Sequence, residues 1–249
     1  MKYRNLIPPE TIRTWVGPFK NATAFLKSGR QTFNLLKEHA KLSPSHTVLD
    51  AGCGCGRVAL HLLDYLNDAG EYFGFDICPE HIDWSTENIS QSFPNFYFTH
   101  IDVKKRLYNP TGKFQLKEII LPYAENTFDL ICAHSLFTHM LPDEMEHYIS
   151  EFSRVIKPNG AFYASYYLMN DKTTEGVRKE TAAFNFKYRV GECFTFDKET
   201  PEEGIAQNES FVKKVYQRHG FKIIEPIHYS NWDKNNRPDQ DFIIATLIA

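Results

Sequence analysis

Apolar and polar positions along this chain alternate between two periods. Short runs rich in β-branched and aromatic residues occupy 46–50 (HTVLD), 72–77 (YFGFDI), 95–101 (NFYFTHI), 128–133 (FDLICA), 161–167 (AFYASYY), 221–225 (FKIIE) and 241–248 (DFIIATLI). Each predicts a strand. Between them, amphipathic stretches predict helices over 57–66, 79–93, 142–156 and 209–220. Strands alternating with helices of this length predict βαβ units and an open, mostly parallel α/β sheet with helices on both faces.

Punctuation supports these boundaries. Pro79 and Pro142 stand at first helical turns, where the missing proline N–H has no partner to lose. Lys157-Pro158-Asn159-Gly160 is a stop-and-turn signal after the third of these longer helices, and Gly220 is placed as a C-terminal cap. No helical pattern separates the last two strands, which predicts an antiparallel hairpin with a long connection over 231–240.

Two segments break the alternation. Residues 1–45 carry two helical patterns, at 8–15 and 22–40, and residues 168–207 hold Phe184, Phe186, Tyr188, Phe194 and Phe196 in near alternation. Connections this long inside compact domains are commonly functional, so 168–207 reads as a small β-containing cap. The chain is thus expected to be a single domain over 1–249: a helical cap at 1–45, a core at 46–167, a capping insertion at 168–207, and a closing helix and strands at 208–249.

Composition narrows the class without changing it. The 249 residues are 42% hydrophobic and 24% charged, with a formal net charge of −3, the balance of an ordinary globular protein. The basic residues are scattered among acids, so no duplex nucleic-acid partner is expected. There is no unbroken apolar run of about 18 residues, so no membrane span is expected. The opening MKYRNLIPPETIRTW lacks a signal-peptide pattern, and five cysteines do not make a disulfide framework. A reducing cytoplasm is the expected location. The sequence carries no sign of oligomeric state.

The chemistry concentrates at VLDAGCGCGR, 48–57. A buried strand ends at Asp50, a glycine-rich turn follows, and a helix opens near Arg57. Glycines let a ligand approach the backbone, and nucleotide ligands bind at such carboxyl ends of strands. The dinucleotide fingerprint needs a third glycine where Arg57 stands. Here the turn reads Gly52-x-Gly54-x-Gly56, with Asp50 two residues ahead. S-adenosylmethionine has an ammonium group where dinucleotides have a diphosphate, and an acid beside the turn suits the former and repels the latter. Asp76, ending its strand twenty positions after Gly56, is placed to accept both ribose hydroxyls. Asp102, ending the next strand beside Val103, suits an adenine amino group.

In these residues the chain resembles the class I S-adenosylmethionine-dependent methyltransferase family. The resemblance rests on VLDAGCGCGR, the GFD and FTHID strand ends, and the run from Tyr123 to Tyr167. It implies a Rossmann-like seven-stranded sheet in the order 3-2-1-4-5-7-6 with the last strand antiparallel. It also implies S-adenosyl-L-methionine as cofactor and S-adenosyl-L-homocysteine as product. By position, Asp50, Gly52, Cys53, Gly54 and Gly56 fall on the methionine-binding turn, Asp76 with Ile77 on the ribose site, and Asp102 with Val103 on the adenine site. His134 and Ser135 fall on the loop after the fourth strand, which in the family borders cofactor and substrate. Cys55 stands where many members carry Thr, Ser or Ala.

Competing chemistries fit less well. Cys53 and Cys55 are too close for a usual zinc pair and lack a partner pair, so no metal is expected. No glycine flanks Ser135, as a nucleophile elbow requires. If the acceptor is a hydroxyl, a general base helps, and His139 is the first candidate, then His134, with Tyr166 and His228 behind them. Ala133-His134-Ser135-Leu136 lacks the Asn/Asp-Pro-Pro-aromatic signature of base or glutamine N-methylation, so the expected reaction is O-methylation of a small molecule or saccharide. The alternatives are N-methylation of a small molecule or protein side chain, a non-catalytic S-adenosylmethionine-binding subunit, and a nicotinamide-dependent oxidoreductase.

Overall fold

The computed structural model describes residues 6–234 and 239–248. Positions 1–5 of the expected cap, 235–238 of the expected long connection and residue 249 lie outside the described residues. The helices are α1 Glu10–Arg13, α2 Ala22–Glu38, α3 Ala59–Leu62, α4 Pro79–Ser85, α5 Pro142–Val155, α6 Asp171–Arg178 and α7 Glu209–Arg218. The strands are β1 Thr47–Ala51, β2 Glu71–Asp76, β3 Phe96–His100, β4 Phe128–Ala133, β5 Ile156–Tyr166, β6 Leu168–Met169, β7 Tyr188–Val190, β8 Cys193–Thr195, β9 Ile205–Asn208, β10 Phe221–Ile223 and β11 Asp241–Leu247.

Seven strands form a mixed, mostly parallel sheet in the order β10-β11-β5-β4-β1-β2-β3, the Rossmann-like arrangement expected from the sequence. Both pairings of β11, with β10 and with β5, are antiparallel, as the hairpin expectation required. A second sheet, β6-β9-β8-β7, lies wholly within the 168–207 insertion apart from the last residue of β9.

The chain divides into two compact units: Met1–Ile119 with Phe128–Cys132, and Ile120–Thr127 with Ala133–Ala249. In the first, β1 pairs in parallel with both β2 and β4, and β2 with β3. Tyr72 stacks on Phe96 and Phe73 on Tyr97, at 5.1 and 4.7 Å between ring centres. In the second, Phe137, Phe152, Phe162, Tyr166 and Tyr216 are fully buried in an aromatic core. A smaller cluster gathers Tyr167, Phe186 and Trp232 with the partly buried Phe184, Phe194 and Phe196 of the insertion.

Three local expectations are corrected. The 57–66 helix keeps only four α-helical residues, Ala59–Leu62, between turns. The 79–93 helix is α-helical to Ser85 and then widens into a π-helical turn, Thr86–Ser90. The Lys157–Gly160 stop signal does end α5, but no separate loop follows. Asn159 takes a φ of 64° inside β5, so the bend is absorbed within the strand. Pro79 and Pro142 open their helices as expected, and Gly220 adopts the left-handed conformation after α7, at a φ of 76°. Among the described residues, no helix is long and apolar enough to cross a membrane.

Candidate functional site

The first unit carries the glycine-rich turn. It leaves β1 after Ala51, and Gly52, Gly54 and Gly56 all take positive φ, at 72°, 53° and 79°. Side chains are strained there, which is why the turn needs glycine at alternate positions. The turn is fastened to the neighbouring strand by backbone bonds from Gly52 and Cys53 N–H to the Phe75 carbonyl, at 2.9 and 3.0 Å. Cys53 and Cys55 are buried. Burial raises the Cys53 thiol well above its usual range and pushes Cys55 up to about 12, so both are neutral packing groups.

The three acids form a staircase. Strand register sets Asp50 opposite Gly74, two residues before Asp76, and Asp76 opposite His100, two residues before Asp102. The step from Asp50 to Asp76 crosses one strand, about 4.8 Å, and advances two residues along β2, about 6.6 Å, toward the carboxyl edge of the sheet, while Asp102 lies just past the end of β3.

Their environments differ. Asp50 is 3% exposed and accepts a 2.8 Å hydrogen bond from the Tyr72 hydroxyl. Burial raises its carboxyl from 3.8 to about 6, against the lowering pull of Tyr72 and of the Arg57 charge. Asp76 organises the turn itself. One oxygen accepts the Gly54 N–H at 2.8 Å and the other the Cys78 N–H at 2.9 Å. Each carboxylate oxygen accepts up to two hydrogen bonds, so both keep capacity for a ligand hydroxyl. Asp102 holds its own loop: its backbone carbonyl accepts from the Lys113 and Phe114 N–H groups, and its carboxylate meets Asn109 Nδ2 at 3.3 Å and Lys113 Nζ at 3.5 Å. Val103 beside it is fully buried, and the Ile77 carbonyl lies 3.2 Å from His100 Nε2.

Two neighbours of Asp76 escaped the sequence reading. His81 on α4 is 2% exposed, with Nδ1 3.9 Å from Asp76 Oδ1, an ion pair rather than a hydrogen bond. Burial pulls its imidazole down, but the Asp76 carboxylate and Cys78 outweigh that and hold it at about 9. Tyr108 is raised by burial and then by the charges of Asp76 and Cys78. An imidazole at one end of a helix and a phenol in an irregular loop have no periodic signal that would have found them.

The second unit carries His134, His139 and His228. His134 Nδ1 is 2.9 Å from the Tyr163 hydroxyl, the two rings stacked. Ser135 takes a φ of 60°, uncommon for a residue with a side chain. It is held there by its N–H to Ser165 Oγ at 2.7 Å and its hydroxyl to Gln240 at 3.1 Å. His139 Nδ1 lies 3.0 Å from the Glu202 carbonyl. A carbonyl only accepts, so Nδ1 carries the proton, and in the neutral ring the lone pair is on Nε2. Gln207 Nε2 donates to the Phe137 and Met140 carbonyls at 3.1 and 2.8 Å, clamping the turn that bears His139. Tyr166 sits in the core, bonded to Tyr216 at 2.9 Å, with its phenol pushed well above 10 by burial; this is no place for a proton acceptor. His228 stacks on Phe242 with ring centres 4.2 Å apart.

A family model described as a methyltransferase domain matches residues 42–220. The chain belongs to the class I S-adenosylmethionine-dependent methyltransferase family. Among its relatives is the sterol 24-C-methyltransferase of Schizosaccharomyces pombe, 25% identical over 174 residues, covering 70% of this chain and 42% of that protein. Another is the tRNA N(3)-cytidine methyltransferase of Gallus gallus, 27% identical over 120 residues, covering 47% of this chain and 29% of that protein. The chain therefore spans less than half the length of either. The PH0226 protein of Pyrococcus horikoshii OT3 shares the fold, with a TM-score of 0.60 at 17% identity over 99% of both chains.

Proposed function

We propose that the protein transfers a methyl group from S-adenosylmethionine to an oxygen of a small molecule or saccharide. The observation that carries the cofactor half of this reading is the Asp76 carboxylate, which grips the Gly54 N–H while keeping capacity for two ribose hydroxyls. In this reading the ammonium of the methionine end faces Asp50 and the backbone of Gly52, Cys53, Gly54 and Gly56. Asp76 and Ile77 take the ribose, Asp102 and Val103 the adenine, and His134 is assigned to the cofactor by its place after the fourth strand in the family pattern. The staircase supports an extended ligand: the step from Asp50 to Asp76 alone spans about 8 Å along the diagonal of the sheet.

The sulfonium supplies an excellent leaving group, so the chain's own task is to align the acceptor and exclude water. Alignment alone can contribute roughly 7–11 kcal/mol. His139, with its lone pair on Nε2, takes the proton of a hydroxyl acceptor, and His134 is the second candidate. The segments 1–45 and 168–207 serve as caps in this proposal, which treats the chain as one functional domain. Relatives named for sterol carbon and for tRNA cytidine nitrogen keep carbon and nitrogen acceptors as the alternatives to be tested. The experiment is release of S-adenosylhomocysteine in a screen of hydroxyl, amine and carbon acceptors. Turnover confined to amines or carbon acids would overturn the oxygen assignment, and no turnover despite tight cofactor binding would favour a binding subunit.

A further inference from the structure

We infer that residues 8–20 form a strap closing the methionine end of the cofactor site, with Arg13 as the positioning residue that shapes it and Val16 as the side chain that walls the turn. The inference rests on the reading that the glycine-rich turn binds S-adenosylmethionine. The strap lies outside residues 42–220, the span matched by the family model.

Arg13 is 7% exposed. Its guanidinium donates to three backbone carbonyls of the strap: Pro8, Phe19 at 3.2 Å and Lys20 at 2.8 Å. A buried charge is tolerated only when its donors are satisfied, and here one side chain satisfies them by drawing both ends of the strap together. Short helical pieces fill the interior, α1 and a 3₁₀ turn at Thr14–Val16. Gly17 then turns the chain at a φ of 134°, where a Cβ would sit 2.6 Å from the Phe19 ring.

The folded strap meets the turn at two points. A Cβ placed on Gly54 would lie 2.5 Å from Val16 Cγ1, so the valine rests directly against that glycine. The Arg57 guanidinium, at the end of the turn, lies 5.2 Å over the ring of Phe19, within the range of cation–π attraction. The base of the strap is fixed too. Arg57 Nη1 donates to Ser28 Oγ on α2 at 3.1 Å, and His61 Nε2 contacts the Leu26 carbonyl at 2.9 Å. A cofactor on this turn therefore shares it with Val16. Ordering residues 8–20 in advance spares the complex that ordering cost.

The test combines calorimetry with S-adenosylhomocysteine and amide hydrogen exchange on the full chain. In the unmodified protein, the ligand is expected to slow exchange across 8–20 at least tenfold. Arg13→Met removes the clip: exchange in the strap rises before ligand is added, and affinity falls at least tenfold, while protection of β1 to β4 is kept. Arg13→Lys, which reaches one carbonyl but not three, is expected to fall between. Val16→Ala leaves the strap ordered but loosens the wall, with a three- to tenfold loss of affinity. Unchanged affinity in Arg13→Met, or a ligand that leaves strap exchange unaltered, overturns the inference while Asp76→Ala still reports on the cofactor reading. If the unmodified protein does not bind S-adenosylhomocysteine, that reading falls and the strap's role falls with it.

Discussion

Replacing Asp50 by asparagine separates what the buried acid costs the fold from what it does for the ligand. The folded protein holds this carboxyl at about 6 against 3.8 in the unfolded chain, chiefly because burial disfavours its charge. Moving a carboxyl between those values corresponds to about 3 kcal/mol, an order-of-magnitude figure. Because the folded state binds the proton more tightly, the contribution to stability is fully present below 3.8 and is lost as pH rises through about 6. At pH 8 the whole cost is therefore present, and at pH 5 about half of it. The substituted amide carries no charge at any pH, and its carbonyl still accepts the Tyr72 hydroxyl that lies 2.8 Å from Asp50 Oδ2.

Asp50→Asn is thus expected to melt above the unmodified protein at pH 8, by up to about 6–12 °C for a chain of this size, with the gap narrowing toward pH 5. Differential scanning calorimetry at the two pH values measures it. The same variant is expected to lose S-adenosylhomocysteine affinity about tenfold or more, the effect of removing one charge-assisted partner of the ammonium. A variant that melts level with or below the parent at pH 8 refutes the burial argument. A variant that binds as tightly as the parent refutes the ammonium assignment.

Three further outcomes can be checked alongside. Asp76→Ala removes the acceptor of the Gly54 and Cys78 N–H groups and the acceptor proposed for both ribose hydroxyls, so calorimetry should find S-adenosylhomocysteine affinity down by about a hundredfold or more; equal affinity would reject the ribose role. Gly54→Ala places a Cβ 2.5 Å from Val16 at a φ of 53°. It should lower the melting temperature, and Val16→Gly should recover only the part due to the clash, since the backbone strain remains; full recovery would show that φ is not limiting. With a hydroxyl acceptor, His139→Gln should lower kcat by roughly 10² to 10⁴ and leave cofactor affinity unaltered; an unchanged kcat would move the base elsewhere.

The strands were legible because each is a compact run of apolar, β-branched or aromatic residues, buried nearly throughout in the central β1 and β4 and only in part at the edge strand β3. The observed β1 to β4 begin and end within a residue of the runs that predict them. Helix extents were less so. Val58, Leu60, Leu62, Leu63 and Leu66 are buried as the 57–66 pattern requires, yet only four residues are α-helical, because the left-handed turn at Gly56 delays the start and turns replace the end. An apolar period reports which side of a segment is buried, not whether its hydrogen bonds close at i−4 throughout. In the insertion the aromatic alternation correctly signalled β structure. Phe184, Phe186 and Phe196 nevertheless lie outside the strands and serve the Trp232 cluster instead.

The acids of the candidate site were legible for a topological reason: each is one polar residue closing an apolar strand, and parallel neighbours bring such ends to the same edge of the sheet. Their partners were not. Tyr72 meets Asp50 across 22 residues, and the clip of Arg13 is completed by carbonyls with no sequence identity to read. The distinction first drawn from the sequence, an ammonium rather than a diphosphate beside the turn, now has a physical basis stronger than the residue type alone. A surface aspartate would be screened by water and would repel a diphosphate only weakly. Asp50 is enclosed, and its charge at neutral pH is already costly to the fold. A cation set beside it relieves that cost, whereas a second anion raises it further. Selectivity should therefore depend on pH: at pH 5, where Asp50 is mostly protonated, the preference for S-adenosylhomocysteine over a nicotinamide dinucleotide should shrink, and in Asp50→Asn it should become insensitive to pH over the same interval. A preference that stays constant in the parent protein from pH 5 to 8 would mean that discrimination lies in the shape of the turn rather than in this buried charge.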